Sequence, residues 1–417
     1  MFFRAGIFLK SIIISLALWS TLCGGEVVFV ITADIHGQMG NFARLASVIR
    51  QEEQAVKIDL GDFSQGDYAV TAADALPMIR AFNLLGYEIL VPGNHEIEYR
   101  EEVLLSWQKN FRGEILGAQW SLGSFRMPSY RIIERAGIRV GVVALGESGL
   151  KKRHEVWSKL QYRDEIEILR KAVADLQKNG CAAIVLACHI SSLNYGVLGR
   201  ILREVPEIDV VAGAHSHKEI PGGMLGSRFV VQPGAGGSSA VKLVLHFDRD
   251  GKYRFASSSL LEPGSETDAE IRELAVSLEK QRNIAERRVI GRFANSAAFG
   301  KYCAEILRRT AGADAGLFVF PANKFRNPLT EAGLFDILPY GNRIATVDIS
   351  RHDAEKLLKN CRKKRFCSTA GDWSKEHFTL AVTDFIYFSY LSGKKLPVEI
   401  HECFERQTIA ESLKKTE

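Results

Sequence analysis

The sequence lacks most of the features that mark disulfide-rich, repetitive or fibrous proteins. Its 417 residues include only seven cysteines, and none of them forms a C-x-x-C pair, so the cysteines give no sign of a zinc knuckle. Internal repeats and long low-complexity tracts are absent as well. With 46% hydrophobic and 25% charged residues, the composition is that of an ordinary globular protein. A chain of this length predicts two domains of roughly 150 to 250 residues each.

A strong excess of charge of either sign is also missing. The formal net charge is +5 and the pI is about 8.7. Arg4 and Lys10 lie in a leader segment, so the chain without that segment is near +3. Such a mild balance gives no support for nucleic acid or an anionic membrane surface as a partner.

The first 25 residues have the build of a secretory signal peptide. A basic start is followed by an apolar run that ends at Cys23, and this run is too short to span a bilayer comfortably. The small residues Cys23, Gly24 and Gly25 allow cleavage there, so we expect residues 1–25 to be removed and the protein to be periplasmic or extracellular. Lipid anchoring at Cys23 is the less favoured alternative, because Leu22 is bulky where a small residue is expected. We expect no stable membrane span after cleavage.

Six cysteines remain once Cys23 is removed with the leader, and they can pair in an oxidising compartment. Cys181 and Cys188 lie along an apolar, strand-like run and are interpreted as core residues. Cys361 and Cys367 bracket a polar loop and are the best candidates for a bridge, although the sequence leaves the connectivity open.

Short apolar runs alternate with amphipathic, helix-length stretches from residue 26 to residue 261. This alternation predicts βαβ units and a mostly parallel, helix-covered sheet. Residues 262–287 are charged and helical in pattern after a Pro-Gly start, and they are predicted to form a linker helix. Residues 288–417 mix helical and strand-like patterns, which predicts a smaller α/β domain.

Side chains suited to metal binding follow several of the predicted strands. They are Asp34 and His36 after the first, Asp62 after the second, Asn94 and His95 after the third, and His189, His215 and His217 after later ones. Because the carboxyl ends of parallel strands lie on one edge of a sheet, we expect these side chains to converge. Carboxylates, imidazoles and one amide suit divalent ions such as Zn²⁺ or Mn²⁺. Seven such side chains, with His95 left aside, fit two ions better than one.

The series D-x-H-G, G-D, G-N-H-E, a later His and G-x-H-S-H resembles the metallophosphatase domain of the 5′-nucleotidase family. The stretches G-D-F-S-Q-G after the second strand and V-V-Q-P-G-A from Val230 are similar to that family too, as is I-L-P-Y-G-N-R-I from Ile337 in the C-terminal part. The resemblance implies an α/β fold. A calcineurin-like metallophosphoesterase domain with helix-covered β-sheets would be followed by a smaller α/β substrate-binding domain.

The resemblance also implies two metal-ligand sets that share Asp62. One set is Asp34, His36, Asp62 and His217, and the other is Asp62, Asn94, His189 and His215. His95 would bind no metal and would instead stabilise the phosphoryl oxygens or the leaving group. The family has an aspartate three residues later that orients this histidine, and here the position is Glu98.

The C-terminal part resembles the family less closely. Arg326 would grip phosphate and Tyr340 would stack on a base, but the Asn-Gly-Gly turn that precedes the family's arginine is missing. The family's second stacking aromatic has no counterpart in its Gly-Gly-Asp-Gly setting, where the chain reads D-F-I-Y-F-S-Y from Asp384. This aromatic cluster fits a substrate pocket or a core equally well. The basic tract between Arg362 and Arg365 is interpreted as a solvated loop.

These patterns together predict an exported hydrolase of phosphoric esters that uses two divalent metal ions. Water activated between the metals and Asp62 would attack phosphorus in line while His95 stabilises the transition state. Nucleoside 5′-monophosphates are the expected small-molecule substrates. The alternatives are a phosphodiesterase, cyclic-nucleotide or nucleotide-sugar hydrolase of the same family and, in another class, a metal-bound binding protein without turnover.

Overall fold

A computed structural model describes residues 24–147, 150–363 and 365–415 of the chain. The predicted signal peptide, with its lipid-anchor alternative at Cys23, therefore lies outside the described residues except for Gly24 and Gly25. Within the described ranges, no helix is both long enough and apolar enough to cross a membrane.

The strands of the described ranges are numbered β1 to β21 in chain order. They are β1 Gly25–Thr32, β2 Val56–Asp59, β3 Tyr87–Leu90, β4 Glu114–Ile115, β5 Trp120–Leu122, β6 Tyr130–Arg135, β7 Ile138–Leu145, β8 Leu160–Tyr162, β9 Ala183–Cys188, β10 Val210–Ala212, β11 Ile220–Leu225, β12 Arg228–Gln232, β13 Ala240–Phe247, β14 Tyr253–Leu261, β15 Val289–Gly291, β16 Ala315–Phe320, β17 Leu329–Thr330, β18 Arg343–Ser350, β19 Phe366–Gly371, β20 His377–Thr383 and β21 Val398–Phe404.

The helices are named by their residues. The α-helices are Met39–Gln51, Tyr68–Ala72, Leu76–Leu85, Glu101–Asn110, Leu150–His154, Glu165–Lys178, Tyr195–Glu204, Ala269–Arg287, Ser296–Thr310, Glu331–Ile337, Arg351–Arg362, Asp384–Ile386 and Glu405–Lys414. Shorter 3₁₀ segments are Glu96–Glu98, Ala322–Lys324 and Ser392–Lys394, and Tyr387–Leu391 is a π-turn.

Two six-stranded sheets pack face to face in the first part of the chain. Their strand orders are β14-β13-β1-β2-β3-β4 and β11-β12-β10-β9-β7-β6. Four adjacent strands are parallel in each sheet, and antiparallel pairs such as β1 with β13 and β6 with β7 complete them. Buried side chains of both sheets, among them Phe29, Val142 and Val231, form a shared core.

The α/β class with helix-covered β-sheets is confirmed, although the alternating pattern alone did not give the number of sheets. Strands such as β1 and β9 are apolar along nearly their whole length because both of their faces are covered. A single helix-covered sheet and a sandwich of two such sheets produce this same sequence pattern. Which arrangement forms is decided by contacts between strands that lie far apart in the chain.

Amphipathic helices cover the outer face of each sheet. Met39–Gln51 buries Phe42, Leu45 and Ile49 against the first sheet, at the spacing of one helical face. Glu165–Lys178 covers the second sheet in the same way. Helix, sheet, sheet and helix therefore form four layers.

The predicted linker helix is Ala269–Arg287, and it packs against the first core. Asp268 caps its first turn by accepting a hydrogen bond from the Ile271 amide and also forms an ion pair with Arg50. Ile271 and Leu278 are buried among the helices that cover the first sheet. The segment is thus a fixed part of that layer, and the exact domain boundaries stay a prediction.

The described residues from 288 onward, called here the C-terminal lobe, contain a five-stranded sheet with the order β19-β16-β20-β18-β21. Helices Ser296–Thr310 and Arg351–Arg362 lie against this sheet, with Phe299 and Leu357 buried beneath them. The six described cysteines are free thiols. Cys361 and Cys367 contact each other through their side chains, and their pairing stays a prediction.

Candidate metal centre

The predicted ligands converge at the carboxyl edge of both sheets. Asp34, His36, Asp62 and Asn94 follow strands of the first sheet, whereas His189, His215 and His217 follow strands of the second. Two groups of donor atoms result, each with its atoms within 4.8 Å of one another. One group contains Asp34, His36 and His217, and the other contains Asp62, His189 and His215.

Strained backbone marks these residues. Five of them adopt left-handed backbone conformations with φ between 50° and 77°, namely Asp34, His36, Asp62, His215 and His217. Residues other than glycine rarely adopt this region, and such strain concentrates at functional sites. Position 93 requires a glycine, because a Cβ there would lie 2.2 Å from Oδ1 of Asp62. The loops are therefore shaped to bring side chains together.

Hydrogen bonds from the protein backbone orient two of the imidazole rings. Nδ1 of His36 donates to the Gln65 carbonyl at 3.0 Å, and Nδ1 of His189 donates to the Leu60 carbonyl at 2.7 Å. With Nδ1 engaged in this way, Nε2 of each ring faces the other donor atoms, which is the usual arrangement of a metal-binding histidine.

Several donor atoms lie so close together that their lone pairs would repel each other unless a proton or a cation lay between them. Nε2 of His36 lies 3.0 Å from Nε2 of His217, and Nε2 of His189 lies 3.1 Å from Oδ2 of Asp62. Oδ1 of Asn94 lies 2.8 Å from Nδ1 of His215. This mixture of imidazole, carboxylate and amide donors fits divalent ions of the zinc and manganese kind.

The electrostatics favour the metal-binding form of some predicted ligands and oppose it at others. Burial lowers the pKa of His189, but the carboxylates of Asp62 and Asp34 outweigh it and raise that pKa to about 10. Burial opposes ionisation of Asp62, yet His189, His95 and His36 outweigh it and hold the pKa of Asp62 below its ordinary value. Burial lowers the pKa of His36 to about 4, so its ring is neutral at neutral pH. At Asp34 burial prevails and raises the pKa, which a bound cation would reverse.

His95 lies beside the donor atoms but belongs to neither group. Its Nδ1 donates to Oε1 of the buried Glu98 at 2.8 Å, and its Nε2 lies 4.0 Å from Oδ2 of Asp62. Burial would lower the pKa of His95, but the carboxylates of Glu98 and Asp62 raise it to about 9. The glutamate thus reaches the histidine in spite of its extra methylene.

Glu96 is a site residue that sequence reasoning missed. Its buried carboxylate accepts hydrogen bonds from the backbone amides of Asp62 and Gly93, at 2.8 and 2.7 Å, and from the Ser64 hydroxyl at 2.6 Å. It therefore ties together the loops that follow β2 and β3. The available signal was its position directly after the Asn-His pair.

A cavity of about 600 Å³ opens in the C-terminal lobe beside His95. Tyr340 lines it and stacks on the His95 ring with centroids 4.9 Å apart. Phe385 and Arg365 also line it, and the Arg365 guanidinium lies 5.3 Å from the Phe385 ring centroid. Arg326 is not among the residues that line it, and its guanidinium donates to nearby backbone carbonyls.

Two expectations about this region change. The basic tract was expected to be a solvated loop, but its residues Arg362 and Arg365 line the cavity. A second aromatic residue, which the sequence motif did not provide, lines the same cavity as Tyr340 and is Phe385. Both depend on how the turns of the C-terminal lobe fold toward one another.

A carboxyl group and an amide occupy one wall of the cavity. Oε2 of Glu405 accepts a hydrogen bond from Nδ2 of Asn342 at 3.3 Å, and both residues line the cavity. Oε1 of Glu405 has no hydrogen-bond partner among the described residues. Burial raises the pKa of Glu405 to about 8.

Comparison with known proteins identifies the first part of the chain. Residues 27–219 match the family model described as calcineurin-like phosphoesterase. The chain contains a calcineurin-like phosphoesterase domain. It is 26% identical over 247 residues to a 5′-nucleotidase of Rattus norvegicus, a match that covers 50% of this chain and 42% of that protein. It is 23% identical over 370 residues to the endonuclease YhcR of Bacillus subtilis, covering 76% and 30%.

The calcineurin-like phosphoesterase domain and the C-terminal lobe together have a known fold. The crystal structure of a 5′-nucleotidase precursor from Thermus thermophilus superposes with a TM-score of 0.65 at 18% identity, covering 94% of this chain and 97% of that one. The resemblance to the 5′-nucleotidase family is confirmed. The chain matches less than half the length of the two curated relatives named above.

Proposed function

We propose that this protein hydrolyses phosphoric esters with two divalent metal ions and that nucleoside 5′-monophosphates are its substrates. The observation that carries the proposal is the pair of donor groups at the edge of the two sheets, with His95 beside them and outside both. A structural cluster would not need two groups of close, inward-facing donor atoms. It would also not need a histidine that lies outside both groups and is oriented by its own hydrogen bond to a carboxylate.

The ligand assignment follows the donor atoms. Asp34, His36, Asp62 and His217 would hold one ion, and Asp62, Asn94, His189 and His215 would hold the other. Asp62 is the proposed shared ligand, because its carboxylate lies 3.1 Å from His189 and its pKa is lowered by histidines of both groups. Two such ions, when bound, would polarise the phosphoryl oxygens and lower the pKa of an attacking water.

His95 is proposed as the group that stabilises charge on the reacting phosphoryl oxygens or on the leaving group. Glu98 accepts the Nδ1 proton, which directs Nε2 toward the donor cluster and favours the charged imidazolium. A positioned imidazolium donates to an oxygen on which negative charge develops, without the cost of reorganisation during the reaction.

The cavity beside His95 is proposed to hold the rest of the substrate. Tyr340 and Phe385 offer faces on which a planar base could stack, at about 1–3 kcal/mol per stacked base. The guanidiniums of Arg362 and Arg365 have no ion-pair partner among the described residues and favour an anionic ligand. We therefore propose that Arg365 contributes to phosphate binding alongside, or in place of, Arg326.

Export to the periplasm or the cell exterior is part of the proposal. It is supported by the basic and then apolar build of residues 1–25.

The decisive experiment assays the metal-loaded full chain on a nucleoside 5′-monophosphate, a small aryl phosphate, a phosphodiester and a nucleotide-sugar. Each substrate is tested with Mn²⁺, Zn²⁺, Co²⁺ and a chelator. We expect hydrolysis that the chelator abolishes and divalent ions restore, with the highest kcat/KM for the nucleotide. Two bound metals with no hydrolysis of any ester would instead support a binding protein.

A further inference from the structure

The C-terminal lobe contacts the segment that carries His95 along the whole length of that segment. Tyr340 stacks on the His95 ring with an interplanar angle of 15°. Gly341 donates its amide proton to Glu98. Beyond Gly341, the Arg343 guanidinium donates to the carbonyls of two further residues of the segment. One stretch of the C-terminal lobe, residues 340–343, thus lies against residues 95–99 of the phosphoesterase domain.

Glu98 stands at the centre of this contact and serves both sides of it. Its Oε1 accepts the Nδ1 proton of His95 at 2.8 Å, while its Oε2 accepts the amide proton of Gly341 at 2.8 Å. The residue is only 7% exposed. Both oxygens of one buried carboxylate are therefore committed, one to the histidine and one to the other lobe.

The close approach of the lobes depends on a glycine. A Cβ at position 341 would lie 2.8 Å from the backbone oxygen of Glu98 and 2.9 Å from its Cβ. Neither of these atoms belongs to a flexible side-chain end, so any larger residue must push the segments apart. The approach is tight because no side chain lies between the two backbones.

Arg343 also joins residues 340–343 to residues 95–99. This residue is 2% exposed, and its guanidinium lies 3.9 Å from the Trp157 ring centroid and 4.7 Å from that of Phe404. It donates to the carbonyls of Ile97 and Tyr99, at 3.2 and 3.4 Å, on either side of Glu98. A buried, planar cation in this position resists sliding of one segment along the other.

We propose that Glu98 is a positioning residue through which the C-terminal lobe sets the orientation of His95. When residues 340–343 are docked, Gly341 holds one oxygen of Glu98 and thereby aims the other at His95. When they are not docked, the carboxylate is free to rotate and the imidazole loses its fixed direction. The role of His95 in the reaction rests on the proposed function, whereas the coupling rests on these contacts alone.

The proposal has a consequence for small substrates. If the C-terminal lobe only bound the base, a small aryl phosphate that cannot reach the cavity would not depend on it. Under the proposed coupling, turnover of that small ester also depends on the contact between Gly341 and Glu98. A misplacement of about 1 Å in a reacting group can cost about 10²-fold in rate.

The test compares Gly341→Ala and Glu98→Asp in the metal-loaded full chain, with the small aryl phosphate as substrate. Aspartate keeps the charge but is shorter by one methylene, about 1.5 Å, so it cannot serve both partners in place. We expect each variant to lower kcat by about 10- to 100-fold with KM changed little. Gly393→Ala is the matched control, because a Cβ there meets no atom within 4 Å.

A double variant separates coupling from two independent defects. If Gly341 acts through Glu98, Gly341→Ala combined with Glu98→Asp should be no slower than the worse single variant. Multiplied defects would overturn the proposal. So would a Gly341→Ala enzyme that keeps full kcat on the small ester and changes only KM for the nucleotide.

A measurement without turnover distinguishes this proposal from the proposed function. The Nδ1 proton of His95 in zinc-loaded protein gives an NMR signal that His95→Gln assigns by its loss. We expect Gly341→Ala to shift or broaden this signal and Gly393→Ala to leave it unchanged. If Gly341→Ala changes the signal but the protein hydrolyses no ester, the coupling is supported and the proposed function is wrong. If the protein turns over esters normally but Gly341→Ala leaves the signal unchanged, the proposed function is supported and the coupling is wrong.

Discussion

Hydrogen bonds from neighbouring groups of the protein orient individual side chains of the centre. His36 and His189 each direct Nε2 toward the donor cluster because a backbone carbonyl accepts the proton of Nδ1. Glu96 binds the amides of Asp62 and Gly93, and so joins two ligand loops. Such outer contacts fix tautomer and direction, and their loss commonly weakens metal binding or activity about 10- to 100-fold.

His95→Ala should lower kcat by about 10²–10⁴-fold while two metals remain bound. The reason is that His95 lies outside both donor groups, so its removal leaves the ligands intact. Metal analysis by mass spectrometry and steady-state kinetics check both parts. Asp62→Ala serves as the comparison, since it should lose metal as well as activity, and a His95→Ala protein depleted of metal would refute the role.

Arg365→Ala should raise KM for nucleotides by about 10-fold or more, because its guanidinium lines the cavity and lacks a carboxylate partner among the described residues. Arg326→Ala should have the smaller effect, since its guanidinium is engaged with the carbonyls of Asn323 and Phe325. Parallel kinetics of the two variants decide between them. A larger loss in Arg326→Ala would restore the assignment made from the sequence.

Glu405→Gln should change the pH dependence of stability. Burial raises the pKa of Glu405 from 4.5 to about 8, so the folded protein holds the proton more tightly than the unfolded chain. The stabilisation that Glu405 gives the folded protein is fully present below about pH 4.5. It is lost as the pH rises to about 8, by at most about 1.4 kcal/mol per pH unit. Relative to the variant, the wild type should lose unfolding free energy across this window in urea titrations. A constant difference would mean that the pKa is not raised.

Among the elements, the helix Ala269–Arg287 shows how a charged segment becomes part of a core. Most of its surface is polar, yet Ile271 and Leu278 lie at helical spacing and are buried against the helices that cover the first sheet. Asp268 anchors its start through the capping bond and through Arg50. The helix therefore stabilises the phosphoesterase domain as well as leading to the next lobe.

Leu278→Ala should lower the free energy of unfolding by about 2–5 kcal/mol, because it removes a buried side chain from that core. Val276→Ala on the same helix is the control, since Val276 is 41% exposed and should cost less than about 0.5 kcal/mol. Denaturant unfolding of both variants gives the comparison. Equal effects would indicate that the helix packs loosely.

At the scale of the whole molecule, the centre joins strands of two sheets and faces the C-terminal lobe. Folding brings the buried carboxylates of Asp34 and Asp62 close together, and the repulsion between them raises the pKa of Asp34 in addition to the effect of burial. A ligand that binds only the folded state stabilises it by mass action. We therefore expect metal binding to stabilise the folded protein.

Added Zn²⁺ or Mn²⁺ should raise the thermal unfolding midpoint of metal-free protein. The stabilisation is about 2.7 kcal/mol when the free ion is at about 100 times its Kd. Scanning calorimetry with and without chelator measures it, and Asp62→Ala should show a much smaller rise. A midpoint indifferent to metal in the wild type would contradict a metal centre at this edge.

The sequence by itself determined the fold class and which metal-binding types of side chain come together. The α/β class follows from the alternating runs, and the donor residues could be named because each follows a strand that ends at one edge. The contact between His95 and Glu98 was implied by the resemblance to the 5′-nucleotidase family, and it joins two residues that lie three positions apart. These features are local or follow from parallel strand geometry. The catalytic and ligand roles of these residues remain predictions.

Only the tertiary structure decided how distant parts meet. Three features depend on contacts between segments far apart in the chain: the packing of two sheets against each other, the position of Phe385 and Arg365 in the cavity, and the contact of Gly341 with Glu98. Gly341 and Glu98 are separated by 243 positions. Nothing in the spacing of side chains along one segment reports which other segment will cover it, because long-range packing selects among folds that share the same local pattern.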